Sequence, residues 1–208
     1  MSTYRITYFD IDGGRAEPVR IALHAAGVDF EDRRISFQEF GQIRNELRFT
    51  CVPVLEVDGA QITQSNAMLR YAGRLANLYP SDDVMQSFYC DEILGAAEDV
   101  TNAIVRTFGK EGDALREARE KLVSGRLTVM LDGLEALLLR GGGTWFADDR
   151  FTVADLKAAE MSRWLSSGAL EHIPQDCVQT IAPSLAEHHA RVQAEPVVID
   201  YYKSRRGQ

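Results

Sequence analysis

Two polar residues near the N-terminus have side chains suited to contacting a small anionic ligand. Tyr8 is the last residue but one of an apolar, strand-like segment, and Arg15 follows it after a turn at residues 10–14. A phenol hydroxyl donates one hydrogen bond, and a guanidinium presents several donors in one plane. A tyrosine in a strand is usually a packing residue. Because Arg15 follows Tyr8 so closely, however, we expect the Tyr8 hydroxyl and the Arg15 guanidinium to face one small anion.

A second set of candidates lies between residues 51 and 66. Pro53 interrupts an apolar run, and X–Pro is the one peptide bond that is readily cis. A proline there leaves the main-chain N–H and C=O of Val52 available to an extended peptide, which would add as a strand; the alternative is a proline on an edge strand. Gln64 and Ser65 then start a helix whose N-terminal N–H groups suit a carboxylate, although Ser65 can equally be an ordinary N-cap.

The elements that must position these residues alternate between strand and helix over the first 80 residues. β-branched and aromatic residues predict strands, helical spacing of apolar residues predicts helices, and Asp58-Gly59 predicts a two-residue hairpin. The predicted segments are residues 3–9, 15–26, 30–37, 38–47, 51–57, 60–63 and 65–77. Their order is βαβ, helix, ββα, with a proline at the third strand. This order resembles a thioredoxin-like domain, assigned to residues 1–78.

Beyond residue 82 the pattern is helical throughout. Apolar residues up to about Arg140 keep helical spacing with a break near residues 109–113, which predicts two long helices. Further helices are predicted after Thr152 and after Pro183. The fold class is therefore α/β plus all-α, with an all-helical domain at residues 83–208.

The composition excludes several classes of protein. The chain has 208 residues with 31 acidic and 23 basic side chains, a net charge of -8, whereas nucleic-acid binders are usually basic. It contains no run of 18 apolar residues and no recognisable secretory signal. Its three cysteines form no CxxC pair, and its four histidines lack metal-ligand spacing. We therefore expect a cytoplasmic protein that binds no metal, nucleic acid or membrane.

Four stretches in register resemble a cytosolic glutathione transferase, most closely the sigma class, which includes glutathione-dependent prostaglandin D synthases. They are Tyr8-Phe9 with Gly14-Arg15-Ala16-Glu17, residues 52–59 (VPVLEVDG), Gln64-Ser65-Asn66-Ala67 and residues 151–156 (FTVADL). In the last stretch Thr152 and Asp155 resemble a helix capping box. The resemblance covers nearly the whole chain. It implies glutathione as co-substrate, a homodimer, and a ligand cleft between the two domains, part of it supplied by the helical domain.

The resemblance also implies a mechanism. Tyr8 would donate a hydrogen bond to the sulfur of glutathione and favour the thiolate, and Arg15 would tune that interaction. A free thiol has a pKa of about 8.5, and lowering it by about two requires about 2.7 kcal/mol. A hydrogen bond to a charged group is worth about 1.5–3 kcal/mol, so one phenol helped by a nearby cation is sufficient.

The remaining binding roles are likewise implied by the resemblance. Val52, beside Pro53, would bind the cysteinyl main chain of glutathione. Gln64 and Ser65 would hold its γ-glutamyl end. Asp99 would reach the γ-glutamyl amine of the glutathione bound to the partner subunit, although its position alone is typical of a solvated helix face.

The sequence departs from the sigma pattern at three places. The turn before Arg15 is one residue longer. Phe40 replaces a tryptophan whose indole N–H would bind the glycyl carboxylate, and phenylalanine has no donor. Cys51 replaces a basic residue and is either inert or able to form a mixed disulfide with glutathione. Arg44 keeps a positive charge near the glycyl end. We therefore expect a modest affinity for glutathione.

The expected activity is conjugation of the glutathione thiolate to small apolar electrophiles, as in detoxification. Phe108 and residues near Ile104 and Trp164 are candidate walls of the electrophile pocket. The alternatives are a binding protein that keeps the fold without turnover, as related lens crystallins do, and a glutathione-dependent peroxidase or isomerase. The turn at residues 10–15 lacks cysteine and serine, which argues against a reductase that uses its own thiol.

Overall fold

The computed structural model describes residues 2–205 and divides the chain into two compact units. The N-terminal unit comprises the chain up to Tyr79 together with the segment from Pro196, and the helical unit comprises Pro80–Glu195. The strands are β1 (Tyr4–Phe9), β2 (Glu31–Ile35), β3 (Val54–Val57) and β4 (Ala60–Ile62). The helices are α1 (Glu17–Ala25), α2 (Phe37–Ile43), α3 (Ser65–Leu75), α4 (Val84–Val105), α5 (Gly112–Leu122), α6 (Thr128–Arg140), α7 (Val153–Leu165), α8 (Cys177–Ile181), α9 (Pro183–Gln193) and α10 (Pro196–Arg205).

The N-terminal unit contains a four-stranded mixed sheet in the order β2-β1-β3-β4. β1 runs parallel to β2 and antiparallel to β3, which pairs antiparallel with β4. The helix between β1 and β2 is the crossover that parallel strands require. The predicted thioredoxin-like order of elements is therefore confirmed. β3 is an interior strand, so the alternative that placed Pro53 on an edge strand is wrong.

Local sequence explains where these elements begin and end. The predicted helix at residues 15–26 starts later, because Gly14–Ala16 form a 3-10 turn and Pro18 lies in the first turn of α1. Asp58 and Gly59 both have positive φ, as a tight two-residue hairpin requires, and they join β3 to β4. β3 begins at Val54 rather than at residue 51, which leaves Cys51 outside the ladder.

The helical unit is built on two long helical stretches. Asp83 caps α4 by accepting hydrogen bonds from the N–H groups of Met85 and Gln86, at 2.8 and 3.0 Å. α5 continues into α6 through a π-helical segment, Val123–Leu127, so that one helical rod runs from residue 112 to residue 140. The two predicted long helices are thus present. Within residues 2–205, no helix is both long and apolar enough to cross a membrane.

A buried carboxylate organises the start of α7. Asp155 Oδ2 accepts hydrogen bonds from the N–H and hydroxyl of Thr152, at 2.7 and 2.8 Å, which completes the predicted capping box. Its Oδ1 accepts from the N–H of Phe146 at 3.1 Å and from Nε2 of His188 at 2.8 Å. Four donors therefore satisfy one fully buried carboxylate.

The last helix, α10, belongs to the N-terminal unit, whereas the predicted division places it in the helical domain. α10 packs against α1 and buries Val198 and Tyr201. The Tyr201 ring also meets His24 of α1, with ring centroids 5.6 Å apart. No separate helix is predicted from the sequence over Pro196–Arg205, and residues 83–208 are placed in one helical domain.

Candidate active site

The phenol of Tyr8 lies against the turn that follows β1. Its side chain is buried at 6% exposure, and its hydroxyl oxygen accepts a hydrogen bond of 3.3 Å from the main-chain N–H of Arg15. Gly14 has a φ of 70°, and a Cβ built there would lie 2.8 Å from the Tyr8 hydroxyl oxygen. The turn therefore needs a glycine for its conformation and for its close approach to the phenol.

This contact brings together the two predicted catalytic residues, Tyr8 and Arg15. The observed hydrogen bond uses the main chain of Arg15, whereas the sequence suggested its guanidinium. A hydroxyl that accepts a hydrogen bond is polarised and becomes a better donor of its own proton. The arrangement thus suits donation of a hydrogen bond from Tyr8 to an anionic atom.

A second cation, Arg20, lies beside the same ring and was missed by sequence reasoning. The central carbon of its guanidinium is 5.8 Å from the centroid of the Tyr8 ring, within cation–π range. The side chain is fully buried and donates to Glu17 Oε2 at 3.0 Å and to Asp32 Oδ1 at 2.9 Å. The signal available in the sequence was a Glu–Arg pair spaced i,i+3 on an otherwise apolar helix.

The peptide bond between Val52 and Pro53 is cis, as the sequence suggested. Val52 is half-buried, Pro53 is buried, and the ladder begins one residue later at Val54. Within residues 2–205, no hydrogen bond joins the main-chain N–H or C=O of Val52 to another residue. These two groups are placed to pair with an extended ligand.

The start of α3 differs in detail from the prediction. Gln64, rather than Ser65, is the N-cap, and its C=O accepts from the N–H groups of Ala67 and Met68 at 2.9 and 3.0 Å. Gln64 has a φ of 70°, which is uncommon for a residue with a side chain. Ser65 is the first helical residue and lies at the positive end of the helix dipole. The ordinary N-cap role for Ser65 is therefore wrong.

The residues expected near the glycyl end of glutathione lie on and after α2, a helix with no buried residue. The ring of Phe40 meets that of Phe9 edge-on with centroids 5.3 Å apart, and the guanidinium carbon of Arg44 lies 5.8 Å from the Phe40 ring centroid. Phe40 and Arg44 thus form a cluster with Phe9, the residue after Tyr8. Cys51 is half-buried and directly precedes Val52.

The other candidates lie in the helical unit. Asp99 is exposed on α4 and lines a surface cavity of about 300 Å³ together with Arg126, Val129 and Met130 of the facing helical rod. Ile104 is fully buried and is a core residue of this unit.

The predicted pocket residue Phe108 contacts Trp164 in the same unit. Phe108 is 54% exposed and meets Trp164 edge-on, with ring centroids 6.3 Å apart. The apolar ring of Phe108 therefore lies at the surface of the unit. Within the part of the chain that the structure describes, His, Cys, Asp and Glu form no cluster of three or more that is suited to a metal ion.

Comparisons with known proteins identify the family of the chain. The N-terminal domain of glutathione S-transferases matches residues 4–74, and the C-terminal domain of glutathione S-transferases matches residues 98–205. Glutathione S-transferase 1 of Ascaris suum is 32% identical over 171 residues, which are 80% of this chain and 82% of the relative. Hematopoietic prostaglandin D synthase of Gallus gallus is 32% identical over 155 residues, 74% of this chain and 75% of the relative.

A solved structure extends the similarity to the three-dimensional fold. NaGST-2 is 26% identical and has a TM-score of 0.80, with 99% of this chain and 98% of that chain covered. Since the C-terminal match alone spans more than half of the chain and the N-terminal match covers most of the rest, the chain belongs to the glutathione S-transferase family.

Proposed function

We propose that this chain conjugates the thiolate of glutathione to small apolar electrophiles and that Tyr8 activates the thiol. The observation that carries the proposal is the buried Tyr8 hydroxyl, whose oxygen accepts the N–H of Arg15 at 3.3 Å and lies against Gly14. In this position the phenol donates to the sulfur anion. The electron pair of the sulfur attacks the electrophilic carbon, the leaving group departs, and the thiol proton passes to solvent.

Charge near the phenol supports the same step. The guanidinium of Arg20 is buried 5.8 Å from the centre of the Tyr8 ring, where water screens its charge little. Its positive charge, which the carboxylates of Glu17 and Asp32 offset in part, favours negative charge on the sulfur that Tyr8 contacts. We therefore assign the cationic assistance to Arg20 in addition to Arg15.

The proposed glutathione site uses main-chain groups and one helix end. The N–H and C=O of Val52, beside the cis Pro53, pair with the cysteinyl main chain, and Gln64 and Ser65 hold the γ-glutamyl carboxylate at the start of α3. Arg44 supplies a charge for the glycyl carboxylate.

Two further residues weaken the glycyl end of this site. Phe40 supplies no hydrogen-bond donor, and Cys51 supplies no charge. The proposed affinity for glutathione is accordingly modest.

The proposed assembly is a homodimer in which Asp99 approaches the γ-glutamyl amine of the glutathione bound to the partner subunit. Support comes from the cavity that Asp99 lines and from Val129 beside it, an apolar residue that is 59% exposed. An exposed carboxylate next to an apolar helix surface suits a contact between two copies of the chain.

The second candidate is isomerisation of a prostaglandin endoperoxide. The similarity to hematopoietic prostaglandin D synthase of Gallus gallus favours it. In this candidate the glutathione thiolate acts on the endoperoxide, and Tyr8 keeps the same role as in conjugation.

Steady-state assays with glutathione and three second substrates test the proposal: chlorodinitrobenzene, cumene hydroperoxide and the prostaglandin endoperoxide. We expect conjugation, and a fall in kcat/KM of about 100-fold in Tyr8→Phe, equivalent to about 2.7 kcal/mol. Tyr71→Phe is the matched control, because Tyr71 is a hydrogen-bonded tyrosine of the same unit whose partner is Tyr4. Equal activity in the Tyr8→Phe variant and the wild type contradicts the proposal.

A further inference from the structure

The last turn of α10 places a cation against the turn that holds Tyr8. Arg205 Nη2 donates to Asp12 Oδ1 at 2.5 Å, and its Nη1 donates to Glu17 Oε1 at 3.0 Å. These carboxylates lie on the two sides of the segment that contains Gly14 and Arg15. One guanidinium therefore ties both ends of the turn to the last helix, 193 residues further along the chain from Asp12.

Glu17 links this contact to Arg20. Its side chain is fully buried and accepts from Arg205 with one oxygen and from Arg20 with the other, each at 3.0 Å. A buried carboxylate needs such partners, because losing one leaves its charge poorly compensated. Arg205 therefore binds the same carboxylate, that of Glu17, as Arg20, which lies over the Tyr8 ring.

Asp12 makes the tether on the other side of the turn. It also accepts from Arg34 Nη1 at 3.1 Å, and it remains largely exposed. The hydrogen bond from Arg205 holds the pKa of Asp12 below its usual value. A lowered carboxyl pKa means that the pair is formed above about pH 4 and is lost only as the pH falls through the lowered value. The tether is therefore constant across the pH range in which a thiol of glutathione ionises.

We propose that Arg205 is a positioning residue for thiol activation: by bonding Asp12 and Glu17 it keeps Gly14 and the N–H of Arg15 against the Tyr8 hydroxyl. The inference rests on the proposed function. Its physical basis is the freedom of a turn in which Gly13 and Gly14 have φ values of 98° and 70°. Fastening both ends of such a segment removes alternative conformations that would carry the Arg15 N–H away from the phenol.

The test compares Arg205→Gln with Lys203→Gln in the full-length protein bound to glutathione. Lys203 is an exposed cation on the same helix and controls for the lost charge. The readouts are the ultraviolet absorbance of the bound thiolate against pH, and kcat and KM for conjugation. For Arg205→Gln we expect the pKa of the bound thiol to rise by up to one, so that the thiolate fraction at pH 7 falls by up to about threefold. Lys203→Gln leaves the thiol pKa unchanged.

A second comparison separates positioning from support of the fold. In a Tyr8→Phe background, Arg205→Gln should cause no further shift, because its effect passes through the phenol. Asp12→Asn should reproduce part of the shift, and combining it with Arg205→Gln should add less than the sum of the two. Arg205→Lys, which keeps the charge but not the planar fork, should restore part of the signal.

The results of these comparisons distinguish failure of the inference from failure of the proposed function. If Tyr8→Phe removes the thiolate signal and folded Arg205→Gln keeps the wild-type pH profile, the inference is overturned while the proposed function stands. Equal losses from Arg205→Gln with and without Tyr8 also overturn it, since they indicate a general structural role. If Tyr8→Phe retains the thiolate, both fail. Should Arg205→Gln not fold, Asp12→Asn, altered at a mostly exposed carboxylate, decides between the same results.

Discussion

The main-chain N–H of Arg15 donates a hydrogen bond to the Tyr8 hydroxyl oxygen over 3.3 Å. Through this contact the position of the phenol depends on the conformation of the turn as well as on the cationic side chain at position 15. The proposed chemistry therefore depends most on residues that shape the turn, above all Gly14.

Gly14→Ala should reduce conjugation at least tenfold. The new methyl carbon would lie 2.8 Å from the Tyr8 hydroxyl oxygen and displace the phenol. Gly27→Ala is the matched control, because Gly27 has a similar φ of 65° but no atom within 4 Å of the added carbon. Both variants should lose about 1 kcal/mol of stability from the left-handed backbone, measurable by thermal unfolding. Equal kcat/KM values for the two variants would show that the contact has no role.

Arg20→Met should destabilise the fold by about 3 kcal/mol, because it removes a fully buried partner of Glu17 and Asp32. The comparison is Arg5→Met, since Arg5 also pairs with two carboxylates but is exposed to solvent. Surface ion pairs contribute little, so that variant should unfold at the wild-type urea concentration. A midpoint for Arg20→Met that matches Arg5→Met would contradict the account of the buried network.

Much of the fold was predictable because local signals specify it. The Asp58-Gly59 hairpin, the cis proline at position 53 and the capping box of Thr152 and Asp155 each depend on residues close together in the chain. Such signals fix the order of elements and most of their approximate bounds.

The tertiary partners were not predictable. Helical spacing predicts a buried face for α1, but it does not show that α10 packs on this face or that Arg205 reaches Asp12. For the same reason, the sequence does not indicate that Arg20 lies beside the Tyr8 ring. The sequence shows that a charged residue on a buried helix face needs an oppositely charged partner. Only the folded chain shows which residue that partner is.

Phe40→Trp should strengthen glutathione binding about tenfold, because an indole N–H adds a donor to a charged carboxylate. Phe37→Trp is the control, since Phe37 is a 73% exposed residue on the same helix. Calorimetric titration with glutathione and with its glycyl ester completes the test. A gain that persists with the ester would place the new donor away from the glycyl carboxylate.

Cys51 should be the first of the three cysteines to be alkylated by iodoacetamide at pH 8. Burial raises the pKa of Cys90 to about 12 and also raises the pKa of Cys177, so neither forms much thiolate. With a pKa of about 12, about one Cys90 thiol in ten thousand is ionised at pH 8. Mass spectrometry of labelled peptides measures the order. Glutathione should slow labelling of Cys51, and undiminished labelling at saturating glutathione would place Cys51 outside the binding site.

The central claim is that Tyr8 ionises the bound thiol. Difference absorbance in the ultraviolet, recorded while glutathione complexes of the wild type, Tyr8→Phe and Tyr71→Phe are titrated with base, measures the thiol pKa directly. We predict a bound pKa about two below the free value of about 8.5 in the wild type and Tyr71→Phe, and a value near 8.5 in Tyr8→Phe. Binding of glutathione to the wild type with an unshifted thiol pKa, or an equally low pKa in Tyr8→Phe, would contradict the claim.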